Sequence, residues 1–231
     1  MHSSEKGFTL LELLIVVVII SILAIVVLFV LNPAETLRKT RDAQRFADLG
    51  TIKNAIALFI TTKSGTAYIG GYQGADDNAG CKASSTSAWA SGDKIWYSVH
   101  DDTLLLTDTT LDGGNSSVPA PAQATSSATN AVVDGQGWIP VKFSSLSGGS
   151  PISNIPVDPV NTIGSASGIL YSDKVYRYAC EDAGLTFEID ARLESLAFTS
   201  DDSRMTKDGG NNNDYYEVGT NLQILGTGTD F

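Results

Sequence analysis

Glu12 is the residue that most needs a chemical reason. It stands inside residues 8–31, where 21 of 24 side chains are apolar and only Thr9, Glu12 and Ser21 interrupt. A carboxylate near the centre of a bilayer costs roughly 2.5 kcal/mol or more, and less near the interface. A simple anchor has no use for one. Elsewhere, groups able to do chemistry are sparse. His2 and His100 are the only histidines, and Cys81 and Cys180 the only cysteines. No G-x-S-x-G, H-E-x-x-H or phosphate-loop pattern occurs, so no catalytic function is expected. His100, in Ser98-Val99-His100-Asp101-Asp102, reads as an exposed turn.

The element that positions Glu12 is a helix. Residues 13–31 contain one polar member, Ser21. That is enough to cross a hydrocarbon core of about 30 Å. The β-branched run Val16, Val17, Val18, Ile19 and Ile20 would suit a strand in water. In lipid the helix satisfies its own backbone. A secretory signal peptide fits poorly, because the apolar run exceeds the usual length and no small-x-small cleavage site follows. A plain signal anchor leaves Glu12 unexplained.

The run Lys6-Gly7-Phe8-Thr9-Leu10-Leu11-Glu12 resembles the prepilin peptidase site of type IV pilins and type II secretion pseudopilins. The family pattern is a short hydrophilic leader, a Gly, a Phe, a Glu four residues on, and then an unbroken apolar run. The resemblance implies that residues 1–7 are a leader, that cleavage falls between Gly7 and Phe8, and that Phe8 is then N-methylated. It further implies that Glu12 neutralises the Phe8 amine of a neighbouring subunit during assembly. Two charges in a low-dielectric filament core are tolerable only when paired. Implied partners are the prepilin peptidase, other pilin subunits in a homo- or hetero-filament, an assembly platform protein with its ATPase machinery, and the membrane.

The resemblance also implies an α+β fold. A long N-terminal helical spine packs on a C-terminal antiparallel β-sheet: residues 8–31 in membrane or filament core, 32–63 as an amphipathic helix, 64–137 as a variable loop region, and 138–231 as sheet and C-terminal loops. The residues support this layout. Asn32-Pro33 kinks or restarts the helix. Leu37, Ala43, Phe46, Leu49, Ile52, Ile56, Phe59 and Ile60 then form an apolar stripe at helical spacing. Arg38, Arg41, Arg45, Asp48 and Lys53 lie largely off it, the arginines serving either as a solvated face or as a contact for subunits or lipid headgroups. Ile95 to Val99 and Trp138 to Phe143 read as short strands, Leu104 to Leu106 as an apolar patch, and 115–137 as a loop. Residues 174–180 and 185–194 alternate with period two, joined at Glu181-Asp182-Ala183-Gly184. They predict an antiparallel hairpin with Glu188, Asp190, Arg192 and Glu194 facing outward.

Charge is divided along the chain. The whole carries −11, with 15 Lys+Arg against 26 Asp+Glu. Residues 32–63 are net +3 and residues 64–231 net −13. So acidic a body excludes general nucleic-acid binding, which needs basic surface. Read naively, the arginines beyond the apolar run keep the body cytoplasmic. The resemblance implies an extracytoplasmic body, and long domains translocate largely regardless of charge. The expected location is therefore the cytoplasmic (inner) membrane as a single-pass protein, then an extracellular pilus or cell-envelope pseudopilus.

Two further sites follow from that setting. Outside the cytoplasm Cys81 and Cys180 are free to form a disulfide, the favoured reading over two separate buried thiols. The loop 201–214 resembles in composition the calcium loop of major pseudopilins. Asp201, Asp202, Asp208 and Asp214 are hard oxygen donors suited to Ca²⁺; the other reading is a solvated acidic loop. A monomeric membrane-anchored binding module or adhesin is the alternative function. Gly7-Phe8 and Glu12 argue against it.

Overall fold

The computed structural model describes residues 7–71, 75–90, 92–100, 120–124, 126–164 and 172–227. Met1 to Lys6 and all of 101–119, Leu104 to Leu106 among them, lie outside them. Two helices open the chain, α1 (Leu10–Leu31) and α2 (Pro33–Thr62). They form a nearly continuous rod of 53 residues, roughly 80 Å at 1.5 Å per residue. Asn32 joins them in the left-handed region (φ 38°), with Pro33 opening α2 and the Asn32 side chain accepting from Glu35 N–H at 3.4 Å.

The strands follow as β1 (Lys94–His100), β2 (Ala120–Ala124), β3 (Tyr176–Glu181), β4 (Thr186–Ala191) and β5 (Tyr216–Gly219). Their order in the sheet is β2-β1-β3-β4-β5. The four strands β1, β3, β4 and β5 are antiparallel, as expected, while β2 joins the edge parallel to β1. The anticipated β3–β4 hairpin forms, in a register that sets Tyr178 opposite Ile189 and Cys180 opposite Phe187.

One face of the sheet packs on α2. Leu49, Ile52, Ile56 and Phe59 meet Trp96, Tyr176, Tyr178, Phe187 and Ile189, all buried. An α+β sandwich of this kind lets each amphipathic element cover the other.

Four expectations need correction. Ala120–Ala124 lies in the stretch read as a loop yet forms a strand. Its Pro121 is tolerable at a sheet edge, where an N–H can be spared. Residues 138–143 are not a strand. Trp138, Ile139, Val141 and Phe143 are buried in an irregular segment that covers the end of α2, with the Phe59 and Phe143 rings 5.9 Å apart. Pro140 has no N–H for a ladder, and the segment bonds locally instead (Trp138 N–H to Asn130 O at 2.9 Å, Phe143 N–H to Val141 O at 3.0 Å). His100 ends β1 rather than standing in a turn. Finally, Glu188 and Asp190 do face away from α2 but do not reach water: both are buried. A second apolar layer covers them, in which Tyr97, Val99 and Ala179 of the sheet pack with Trp89, Ile224 and Leu225.

Candidate functional site

The N-terminal rod is the candidate site, and its first turn is built around Thr9 and Glu12. Thr9 is the N-cap of α1: its hydroxyl accepts from Glu12 N–H at 3.2 Å. Glu12 Oε2 in turn accepts from Thr9 N–H and Thr9 Oγ1–H, each at 2.9 Å. This reciprocal capping box satisfies otherwise orphaned donors at the helix start. It also places the carboxylate at the positive end of the helix dipole. The Glu12 side chain is thus held four residues from Phe8, at the end of the rod where a new amino terminus would lie.

Behind this cap α1 is apolar on every side. Phe8, Leu10, Leu11, Leu13 and the large apolar side chains described after them are exposed, from 48% at Ile15 to 85% at Leu10. The polar exception beyond Glu12 is Ser21, whose hydroxyl is spent on Val17 O at 2.7 Å. A helix that is hydrophobic all round belongs in lipid or in the core of a larger assembly. Its length and composition suffice to cross a membrane.

The rod is fastened to the body by charge as well as by packing. Arg45 is fully buried and binds Asp158 through two parallel bonds, Nε to Oδ2 at 2.7 Å and Nη2 to Oδ1 at 2.9 Å. Its Nη1 reaches Asp42 at 2.8 Å and Glu194 at 2.6 Å. Arg41 forks onto the same Glu194 at 2.9 and 2.6 Å. Asp42 accepts from the Glu194 and Ser195 N–H groups at 3.0 and 2.7 Å. Burial alone would raise Glu194, but hydrogen bonds from Arg41 and Arg45 hold it down at about 2. Forked arginine–carboxylate pairs supply geometry as well as energy, so the network sets the angle between helix and sheet. Tyr176 adds a hydroxyl bond to Asp48 at 3.0 Å.

These contacts divide the arginine cluster. Arg45 is internal, Arg41 is half-buried with its fork on Glu194, and Arg38 is exposed beside Glu35. Leu37 and Ala43, placed on the apolar stripe, are exposed instead. The missed signal was present in the spacing: Asp42, Arg45, Leu49, Ile52, Ile56 and Phe59 recur at three- and four-residue steps, so the two charged residues extend the buried stripe.

Cys81 and Cys180 form a disulfide, with Cα atoms 4.7 Å apart and a separation of 99 positions in sequence. It ties the segment before β1 to β3, where Lys82 N–H also donates to Cys180 O at 2.9 Å. Gly70 lies directly over the sulfur atoms, and a Cβ there would fall 2.1 Å from Cys81 Sγ.

The four aspartates named as calcium ligands do not come together. Asp202 pairs with Arg204 and Lys207. Asp208 Oδ1 accepts from Gly210 N–H at 3.0 Å, and Oδ2 from Glu217 N–H at 2.8 Å. Asp201 lines a crevice beside Leu31 and Lys39. The Asp214 N–H donates to Asn212 at 2.9 Å. Among the described residues no group of three or more His, Cys, Asp or Glu could hold a metal ion.

Compared with known proteins, residues 2–28 match the prokaryotic N-terminal methylation motif. No curated protein and no solved structure matches the chain. The matched segment contains Gly7, Phe8, Thr9 and Glu12 and runs into the apolar helix. Motif, cap and helix together identify the N-terminal segment of this chain as that of a type IV pilin-like prepilin.

Proposed function

We propose that the chain is a structural subunit of a type IV pilus or pseudopilus. Prepilin peptidase cuts between Gly7 and Phe8, and the new Phe8 amine is methylated. The subunit waits in the inner membrane with its body outside the cytoplasm. An assembly platform and its ATPase then draw α1 from lipid into the filament, where α1 helices of successive subunits pack together. Glu12 pairs with the Phe8 amine of a neighbour, so that neither charge is buried alone.

The observation that carries this reading is the placement of Glu12: one carboxylate at the capped start of a helix otherwise apolar all round. A plain anchor gains nothing from it, whereas a polymerising helix gains a partner for each incoming amine. Mass spectrometry of the chain purified from membranes containing a prepilin peptidase tests the reading. The expected mature chain begins at Phe8 and carries one methyl group on its amine. A chain that still begins at Met1 refutes it.

A further inference from the structure

The face of the sheet turned away from α2 holds two carboxyl groups against each other. Glu188 on β4 and Glu217 on β5 are 0% and 1% exposed, and the register that sets Glu188 opposite Gly219 and Asp190 opposite Glu217 makes them diagonal neighbours on one face of the sheet, each bearing on the other's charge. Each commits one oxygen elsewhere. Glu188 Oε2 accepts from the N–H groups of Ile224 at 2.7 Å and Leu225 at 2.8 Å. Glu217 Oε2 accepts from Asn212 N–H at 2.9 Å. The two remaining oxygens, Glu188 Oε1 and Glu217 Oε1, are buried, and among the described residues no N–H or O–H reaches either.

Two ionised carboxylates cannot share a dry site at hydrogen-bond distance, because their repulsion is unscreened there. A single proton between the free oxygens removes the conflict and makes the bond. We propose that Glu188 and Glu217 hold one proton between them, and that this shared proton fastens the C-terminal strap, residues 220–226, to the outer face of the sheet.

The surroundings agree. Asp190 and Asp208 add negative charge on the same side. Arg177 does not neutralise the pair, since it is forked onto Asp190 beneath the ring of Tyr215. Among the described residues Lys82 also faces Glu188, and its Nζ is committed to Ser85 O at 3.1 Å and to the ring of Trp89. The strap itself, Thr220 to Gly226, contains no ionisable side chain. Burial and then the facing Glu217 push Glu188 well above the usual carboxylate range, and burial raises Glu217 as well.

The strap depends on this pair for more than two amide bonds. Ile224 and Leu225 complete the second apolar layer over Tyr97, Val99 and Ala179. Asn212, held by Glu217, also binds Gly226 O at 3.0 Å through its side chain. A group whose folded pKa is raised binds its proton more tightly in the folded state. The fastening is therefore complete below the ordinary glutamate pKa and is lost as pH rises through the raised value. The inference does not rest on polymerisation.

Amide hydrogen exchange of the full chain in detergent micelles, followed by mass spectrometry between about pH 5 and pH 9, tests it. After correction for intrinsic exchange, protection of residues 221–226 is expected to fall about tenfold or more with rising pH, while β3 peptides change little. In Glu188→Gln the amide Nε2 donates to Glu217 Oε1 in place of the proton, and Oε1 still accepts from Ile224 and Leu225. Its strap should stay protected at every pH. Glu217→Gln offers the same substitution from the other side, should the first variant fail to fold. A flat wild-type profile, or an unchanged pH slope in a folded glutamine variant, overturns the proposal. So does protection that rises with Ca²⁺ and falls with EDTA, which would place a cation where the proton is argued to be.

Discussion

Replacing Arg45 by Met should loosen the joint between rod and body. The side chain is fully buried and touches Asp158, Asp42 and Glu194 at 2.6–2.9 Å. Methionine roughly fills its volume but leaves three carboxylates without their common cation. They are not wholly abandoned. Asp158 keeps the Val160 N–H at 2.8 Å, Asp42 keeps Glu194 and Ser195 N–H, and Glu194 keeps Arg41. Removing one partner of a buried ion pair usually costs about 3–5 kcal/mol. For a chain of this size that is a fall in melting temperature of roughly 6–20 °C. Thermal unfolding in detergent, followed by near-ultraviolet circular dichroism of the buried Trp138, reads it directly. The pH dependence separates lost charge pairing from lost packing. Glu194 lies at about 2 in the folded protein, below its ordinary value. Its contribution is present above the ordinary glutamate pKa and disappears as pH falls through about 2. In Arg45→Met Glu194 loses one of the two arginines that hold it down, so its protonation comes at higher pH and the gap between variant and wild type should narrow below about pH 4.5. A melting temperature within about 2 °C of wild type at pH 7 would sink the argument. A gap that stays constant into acid would mean that packing rather than charge is what Arg45 provides.

Three other perturbations have definite expectations. Glu12→Ala should leave cleavage after Gly7 largely intact while reducing filament yield, measured by shearing and immunoblotting; normal yield would remove Glu12 from assembly. Cys81→Ser with Cys180→Ser should lower stability by up to about 4.7 kcal/mol on the chain-entropy estimate for a closed loop of about 100 residues, visible as a lower melting temperature that a reductant no longer changes. Gly70→Ala should destabilise the body, because its Cβ meets two sulfur atoms at 2.1 and 2.7 Å; the same substitution in the double-serine background should be milder, and equal losses in both would refute the steric account.

What could be read in the sequence was whatever repeats with a short period or stands in a fixed local pattern. Gly7, Phe8 and Glu12 stand in a fixed order. The helix extends over many turns, and the β3–β4 hairpin alternates over two strands. Depth was harder to read. The alternation of Phe187, Glu188, Ile189 and Asp190 distinguishes two faces correctly, but it cannot show that Ile224 and Leu225 return from the chain end to cover the polar one. Arg45 and Asp42 are charged, and charge on a helix ordinarily means solvent. Their burial depends on Asp158 and Glu194, more than a hundred residues away in sequence. Ala120–Ala124 has little strand propensity of its own and is a strand through pairing with β1. The aspartates of 201–214 failed as a constellation because composition says nothing about direction: the Asp202 carboxylate turns to Arg204 and Lys207, and that of Asp208 to the Gly210 and Glu217 N–H groups.

The disulfide has a consequence for how freely this protein can vary. Residues 81–180 form a covalently closed ring, and its clasp is buried beneath Gly70 between the sheet and α2. The ends of any insertion within that ring are already held together. Lengthening a flexible loop costs only about 0.6 kcal/mol for each doubling. The ring therefore uncouples surface novelty from assembly: so long as Asp158 and core side chains such as Trp96, Trp138 and Tyr176 are kept, loops between the two cysteines can be exchanged, extended or used to display a foreign epitope, while the rod and its arginine joint keep the same fit to their neighbours.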